Sequence, residues 1–225
     1  MKTYAHLLLD LDGTLLASSG ASLRFAFIQS ALRYLRRRGV PHWQGLKALH
    51  LMRKAIEKPG QEHTNEQRAH QAFARALSIE EAEARALAAG MIAEIFPTLR
   101  EHFQPIPGAS EFIDWAKPRF ALTLATNPVW PREIVELRLG WAGLKPDDFG
   151  FISHASEMHA CKPCVEYYRE LKGRLGLDPS AALMIGDSPR KDGPARQAGL
   201  EVFLLKKGDF PALKSHIEME RRASS

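Results

Sequence analysis

Short apolar runs alternate with helix-spaced stretches along most of this chain. Residues 5–10, 120–126, 151–153, 181–186 and 201–205 are apolar or rich in β-forming side chains, and each is brief enough for one strand. Between them lie stretches with helical spacing, among them 131–139, 165–175 and 194–198. Strands apolar on both faces and separated by helices predict an α/β fold, a doubly wound parallel sheet.

Residues 16–104 read differently. Leu23, Phe27, Ala31 and Tyr34 recur at helical spacing, and no strand pattern is evident. Breaks fall at Gly39-Val40-Pro41, Lys58-Pro59-Gly60 and Phe96-Pro97, and Pro105-Ile106-Pro107-Gly108 marks an exit. The predicted organisation is an α/β core from residues 1–15 and 105–225 with an all-α insertion at 16–104. Leaving the C-terminal end of the first strand, the insertion is placed over the edge where open α/β sheets bind ligands, which is the place of a lid. Residues 206–225 predict a closing amphipathic helix with a frayed polar end.

Composition narrows the class. With 225 residues, 45% of them apolar, the chain can bury one substantial core with a smaller insertion. The leucine run near the start is cut by Asp10, too early for a signal segment or a membrane span, so a cytoplasmic protein without membrane association is expected. The net charge is +5, and residues 16–104 hold 13 Lys and Arg against 8 Asp and Glu, so the whole excess belongs to the insertion. That segment is suited to attract something anionic. Arg36-Arg37-Arg38 before Gly39 is most simply a helix C-terminus. With its cations dispersed and no reading motif, nucleic acid is a poor fit as partner, and Trp43 and Trp130 read as core or interface aromatics.

The strand ends carry the chemistry. The first ends in Asp10-Leu11-Asp12-Gly13-Thr14, the second in Thr126-Asn127, and the fourth in Gly186-Asp187, with Asp192 five residues on; Lys162 follows the third. In a parallel sheet these ends share one edge. Asp10, Asp12, Asp187 and Asp192 repel one another unless a hard divalent cation joins them, and Mg²⁺ suits a few carboxylate oxygens and several waters. Taken singly, Asp12-Gly13 and Gly186-Asp187-Ser188-Pro189 read as turns, Thr126-Asn127-Pro128 as a helix cap, and Lys162 as a solvated lysine. Their joint occurrence at successive strand ends is much harder to explain by turns.

These four motifs resemble those of the haloacid dehalogenase superfamily, specifically its phosphatase-like members with a helical cap inserted after the first motif. The resemblance implies a Rossmann-like core in which Asp10 is the nucleophile of an aspartyl-phosphate intermediate and Asp12 the general acid and base. It implies that Thr126, Asn127 and Lys162 bind the substrate phosphate. Mg²⁺ would be held by Asp10, the Asp12 backbone carbonyl and Asp187, with Asp192 in support. Because superfamily members that displace halide or cleave carbon–phosphorus bonds typically lack the second aspartate, Asp12 implies a phosphate ester. The expected activity is Mg²⁺-dependent hydrolysis of a small phosphorylated metabolite, by a monomer or homodimer. A phosphoryl-transferring mutase uses similar residues and stays open as an alternative.

A different class of function rests on Cys161-Lys162-Pro163-Cys164, which has the spacing of a dithiol redox motif. With His154 and His159 upstream, a small zinc site can also be drawn, although the spacing fits no standard pattern.

Overall fold

The computed structural model describes residues 4–60, 62–206 and 208–222. Five parallel strands form the central sheet: β1 (His6–Leu9), β4 (Ala121–Leu124), β5 (Phe151–Ile152), β6 (Ala182–Gly186) and β7 (Glu201–Leu204), in the order β5-β4-β1-β6-β7. β1 lies at the centre, pairing Leu9 with Leu124 on one side and Ile185 on the other. The order reverses on either side of β1, so the C-terminal ends of β1, β4 and β6 mark the switch point at which open α/β sheets bind their ligands.

Alternation along the strands divides the core in two. Leu7, Leu9, Leu122, Leu124, Leu183 and Ile185 face a layer that includes α5 (Ala109–Ala116), α6 (Arg132–Trp141) and α8 (Phe210–Arg222). Leu8 and Met184 face α7 (Val165–Leu175), through Tyr167, Tyr168 and Leu171, and the turn of 3₁₀ helix at Gly193–Ala198. The spacing predicts regular helix at 194–198, but Pro194 near the start of that segment and Gly199 at φ 87° just after it leave room for little more than a tight turn. The frayed end expected beyond α8 lies outside the described residues.

Within residues 16–104 the described residues form four α-helices, α1 (Ala21–Arg36), α2 (His42–Glu57), α3 (Asn65–Leu77) and α4 (Glu81–Ile95). The breaks between them fall at Gly39, whose φ is 83°, at Pro59-Gly60 and at Ser78 in the left-handed conformation. Contrary to the expectation of a strand-free stretch, the helices are bracketed by a two-stranded antiparallel ribbon, β2 (Leu16–Ser18) against β3 (Phe103–Pro105). Three residues per strand give too short a run for period-two patterning to register. Of the two readings of Trp43, core or interface, the core one does not hold, since Trp43 is 68% exposed on α2.

The helical segment is docked rather than free-standing. α3 starts in a capping box, with Thr64 Oγ1 accepting from Gln67 N and Gln67 Oε1 from Thr64 N. From this fixed end Asn65 N donates to Met158 O at 2.8 Å and Glu66 N to Ala155 O at 2.9 Å, while Gly60 N donates to His159 O at 2.7 Å. Arg68 donates to Ala55 O, Asn65 Oδ1 and His159 O. On the other side Phe27 and Phe96 pack edge-on against Trp130, in the loop after β4. Several of the insertion's cations are thereby absorbed: Arg68 in this junction, and Arg37, Arg53 and Arg85 in ion pairs with Glu94, Glu57 and Glu81. Among the described residues no helix is long and apolar enough to cross a membrane.

Candidate active site

The turn after β1 builds the first part of the site. Asp10 N donates to Ile185 O, and Leu15 N and Leu16 N both return to Leu11 O, closing the chain into a loop within six residues. Gly13 makes the loop feasible: its φ is 84°, and a Cβ there would lie 2.2 Å from Asp187 Oδ2. Gly186 serves the neighbouring strand in the same way, since a Cβ on it would lie 2.2 Å from Asp192 Oδ2. Gly13 lets the loop after β1 come up against Asp187, and Gly186 lets Asp192 fold back against the end of its own strand.

Lys162 sits between them. Its Nζ donates to Asp10 Oδ1 at 2.9 Å and to Asp192 Oδ1 at 2.6 Å, and all three side chains are buried. Asp192 is held in turn by Ser188 N, which donates to Oδ2 at 3.0 Å. Oxygens of Asp10, Asp187 and Asp192 all lie within 4.8 Å of one another.

One ammonium cannot neutralise two buried carboxylates. Burial pushes the Asp10 carboxyl up to about 6, with Asp192 and Asp12 adding to the rise and Lys162 opposing it. Burial alone would lower Lys162, but the attraction of Asp10 and Asp192 outweighs it and holds the ammonium above its ordinary value. Asp187 is raised by the partial burial of its carboxyl and then by Asp192. This excess of negative charge, presented by hard oxygen donors, fits a divalent cation such as Mg²⁺.

The loop after β4 supplies a second set of groups. Thr126 Oγ1 is buried and has no hydrogen-bond partner among the described residues, while Thr126 O accepts from Ser153 Oγ at 2.7 Å and Tyr167 OH at 2.9 Å. The backbone of Thr126 is thus fixed while its hydroxyl is left with donor capacity to spare. Asn127 Oδ1 accepts from Lys162 N at 3.1 Å, joining this loop to the one that carries the lysine. Asn65, wholly buried, reinforces the junction: its Nδ2 donates to Pro128 O at 3.1 Å and Ala160 O at 3.2 Å.

Asp10, Lys162, Asp187, Asp192, Thr126 and Asn127 thus occupy the C-terminal edge of the sheet. β1 ends at Leu9, so Asp10 and Asp12 both lie in the turn that follows it, and Asp12 Oδ1 accepts from Arg138 Nη2 of α6. Sequence reasoning missed Arg138. Its signal was a lone cation among Ile134, Val135 and Leu139, the apolar positions of that helix. Tyr167 and Ser153 were missed because they read as ordinary core and strand residues.

The cysteines have the wrong surroundings for redox chemistry. Both are free thiols, and burial pushes Cys161 up to about 12 and Cys164 upward as well, whereas reactive thiols are lowered. Cys161 Sγ faces Pro128 O and Cys164 Sγ faces Glu57 O. His159 Nδ1 is engaged by Glu170 at 2.8 Å, and the three-ligand cluster contains no cysteine or histidine.

Residues 4–199 match the family model for haloacid dehalogenase-like hydrolases. The phosphoserine phosphatase of Thermus thermophilus is 32% identical over 136 residues, 60% of this chain and 53% of that protein, so the match spans about half its length. Among solved structures, a 2-haloacid dehalogenase from Pseudomonas syringae pv. Tomato DC3000 superposes with a TM-score of 0.62 at 23% identity, covering 89% of this chain and 85% of its own. A HAD phosphatase from Thermococcus onnurineus gives 0.56 at 20% identity, covering 92% and 86%. At these identities the structural likeness speaks to the fold, while the family model covers the motifs as well. The chain belongs to the haloacid dehalogenase-like hydrolase family.

Proposed function

We propose that this hydrolase is a Mg²⁺-dependent phosphatase acting on a small phosphomonoester through an aspartyl-phosphate at Asp10. The observation that carries this is the convergence on Asp10 of a buried ammonium and two further carboxylates, with the unpartnered hydroxyl of Thr126 in the loop after the adjacent strand β4. An anionic tetrahedral group needs such a mixture: donors for its oxygens, and a cation site that balances the nucleophile's charge.

In the first step an Asp10 oxygen attacks phosphorus, the bond to the leaving alcohol breaks, and Asp12 gives that alcohol its proton. In the second, water attacks the same phosphorus, loses a proton to Asp12, and inorganic phosphate departs with Asp10 restored. Lys162 Nζ, Thr126 Oγ1 and the Asn127 amide hold the phosphoryl oxygens. Asp192 keeps Lys162 aimed at Asp10. Asp10, Asp187 and the Asp12 carbonyl would hold Mg²⁺, whose charge offsets the repulsion between carboxylate and phosphate.

The fold also hosts dehalogenases, including the structure from P. syringae. Asp12 favours phosphate esters, because a leaving alkoxide needs a proton and a halide does not. The phosphoserine phosphatase of T. thermophilus supports the same choice and points to a small phosphorylated substrate. We further propose residues 16–104 as the cap that selects it.

The test is release of inorganic phosphate from a panel of phosphomonoesters with Mg²⁺ and with chelator, alongside Asp10→Asn. Release that needs the metal and disappears in the variant is expected. Turnover that survives in Asp10→Asn overturns the nucleophile assignment.

A further inference from the structure

Arg138 presents an unusual combination of burial and pairing. It lies in α6 among Ile134, Val135 and Leu139, and its side chain is only 4% exposed. A guanidinium taken out of water needs a compensating anion. That anion is Asp12, whose Oδ1 accepts from Arg138 Nη2. The ring of Phe103, in β3, lies 5.4 Å from Arg138 Cζ. Arg138 Nε is buried with no hydrogen-bond partner among the described residues. Arg68, in the junction, spreads its fork over several neutral acceptors, among them the carbonyls of Ala55 and His159 and Asn65 Oδ1, although its Nε is unpartnered as well. The hydrogen bond from Arg138 goes instead to one carboxylate, that of Asp12.

Asp12 is the opposite case. Its side chain is 37% exposed, on the turn that carries the nucleophile. An aspartate so exposed has several rotamers open to it. Tied by one oxygen to a donor buried in a helix, it is left with few, and its second oxygen stays available. Fixing a reacting group in advance removes an entropic part of the barrier, and a misplacement of about 1 Å can lower a rate by roughly 100-fold.

We propose that Arg138 is a positioning residue, which holds Asp12 through Oδ1 so that the other carboxylate oxygen meets the departing alcohol. It acts through Asp12 alone. The inference rests on the assignment of Asp12 as proton donor made above, and it names the residue that makes that assignment efficient.

The experiment compares wild type, Arg138→Met, Arg138→Lys and Asp12→Asn on substituted phenyl phosphates of graded leaving-group acidity, with Mg²⁺ present. Protonation matters little for 4-nitrophenol and much for phenol. For Arg138→Met the rate on phenyl phosphate should fall by about 10- to 100-fold and that on 4-nitrophenyl phosphate by less than about 3-fold, with Arg138→Lys in between. A structural role would lower all substrates together, so equal losses across the series, or none, overturn the proposal. Should Arg138→Met fail to fold, Arg138→Lys carries the same comparison of slopes. Asp12→Asn separates the two levels of inference. If it shows the steepened dependence and the Arg138 variants do not, the positioning role alone fails; if it shows none, the proton-donor assignment fails with it.

Discussion

Lys162 Nζ lies 2.9 Å from Asp10 Oδ1, with neither side chain more than 6% exposed and the two residues 152 positions apart in the chain. Removing the ammonium leaves Asp10 and Asp192 facing each other across a buried space. Lys162→Met is therefore expected to lower stability by about 3–5 kcal/mol in urea unfolding with chelator present, and to abolish turnover. Adding Asp10→Asn to the same chain should restore part of that stability. Two independent, additive losses would show that the pair is not coupled.

Gly13 should tolerate no side chain. Alanine there meets the left-handed φ, at about 1–2 kcal/mol, and drives a methyl into Asp187. Gly13→Ala is expected to raise the Mg²⁺ concentration needed for half-maximal activity by at least about 10-fold. Calorimetric titration with Mg²⁺ alone should show the same weakening. Unchanged Mg²⁺ affinity would mean that Asp187 is no part of the cation site.

The Pro128 and Ala160 carbonyls both accept from Asn65 Nδ2, a link from the inserted helices to the loops that carry the groups proposed to bind phosphate. Asn65→Ala should cost about 1–3 kcal/mol for each carbonyl left unpaired. It should also weaken inhibition by inorganic phosphate, because the Asn127 and Lys162 loops lose their common anchor. A stable variant with unaltered phosphate inhibition would contradict this.

How far these relationships could be foreseen depended on their range. The leucines of β1, the apolar run of β6 and the aspartates after them announce the sheet and its acidic edge, because burial and turn chemistry act within a few residues. Asp12 and Arg138 are joined only by the docking of α6 against the β1 turn, and nothing local in either segment states that contact. Asn65 is similar: it begins α3, reads as a helix-start polar residue, and is buried because the start of α3 docks against residues 155–160. The β2–β3 ribbon was hidden by its brevity. Lys162 and Asp192 were readable as motif positions, but their mutual hydrogen bond, and the charge imbalance it leaves, required coordinates.

His154 gives the fold a dependence on pH. It is buried at the end of β5, with Nδ1 unpartnered among the described residues and Nε2 3.5 Å from Glu157. Burial lowers it from the ordinary 6.5, with Glu157 opposing, Arg132 adding, and Glu66 and Glu133 opposing. Between 6.5 and that lowered value the unfolded chain binds a proton that the folded chain does not, so stability is lost as pH falls through this window. Relative to His154→Gln, wild type should lose melting temperature between about pH 8 and about pH 5. A difference between the two proteins that stays constant with pH would contradict the buried, neutral imidazole.

The covalent step can be examined directly. Enzyme quenched during turnover of a phosphomonoester with Mg²⁺, treated with borohydride and digested, should yield the peptide containing residue 10 with that aspartate reduced to homoserine, as an acyl phosphate demands. Phosphate release at full rate with the Asp10 peptide unmodified, or with reduction at any other aspartate, would contradict the account.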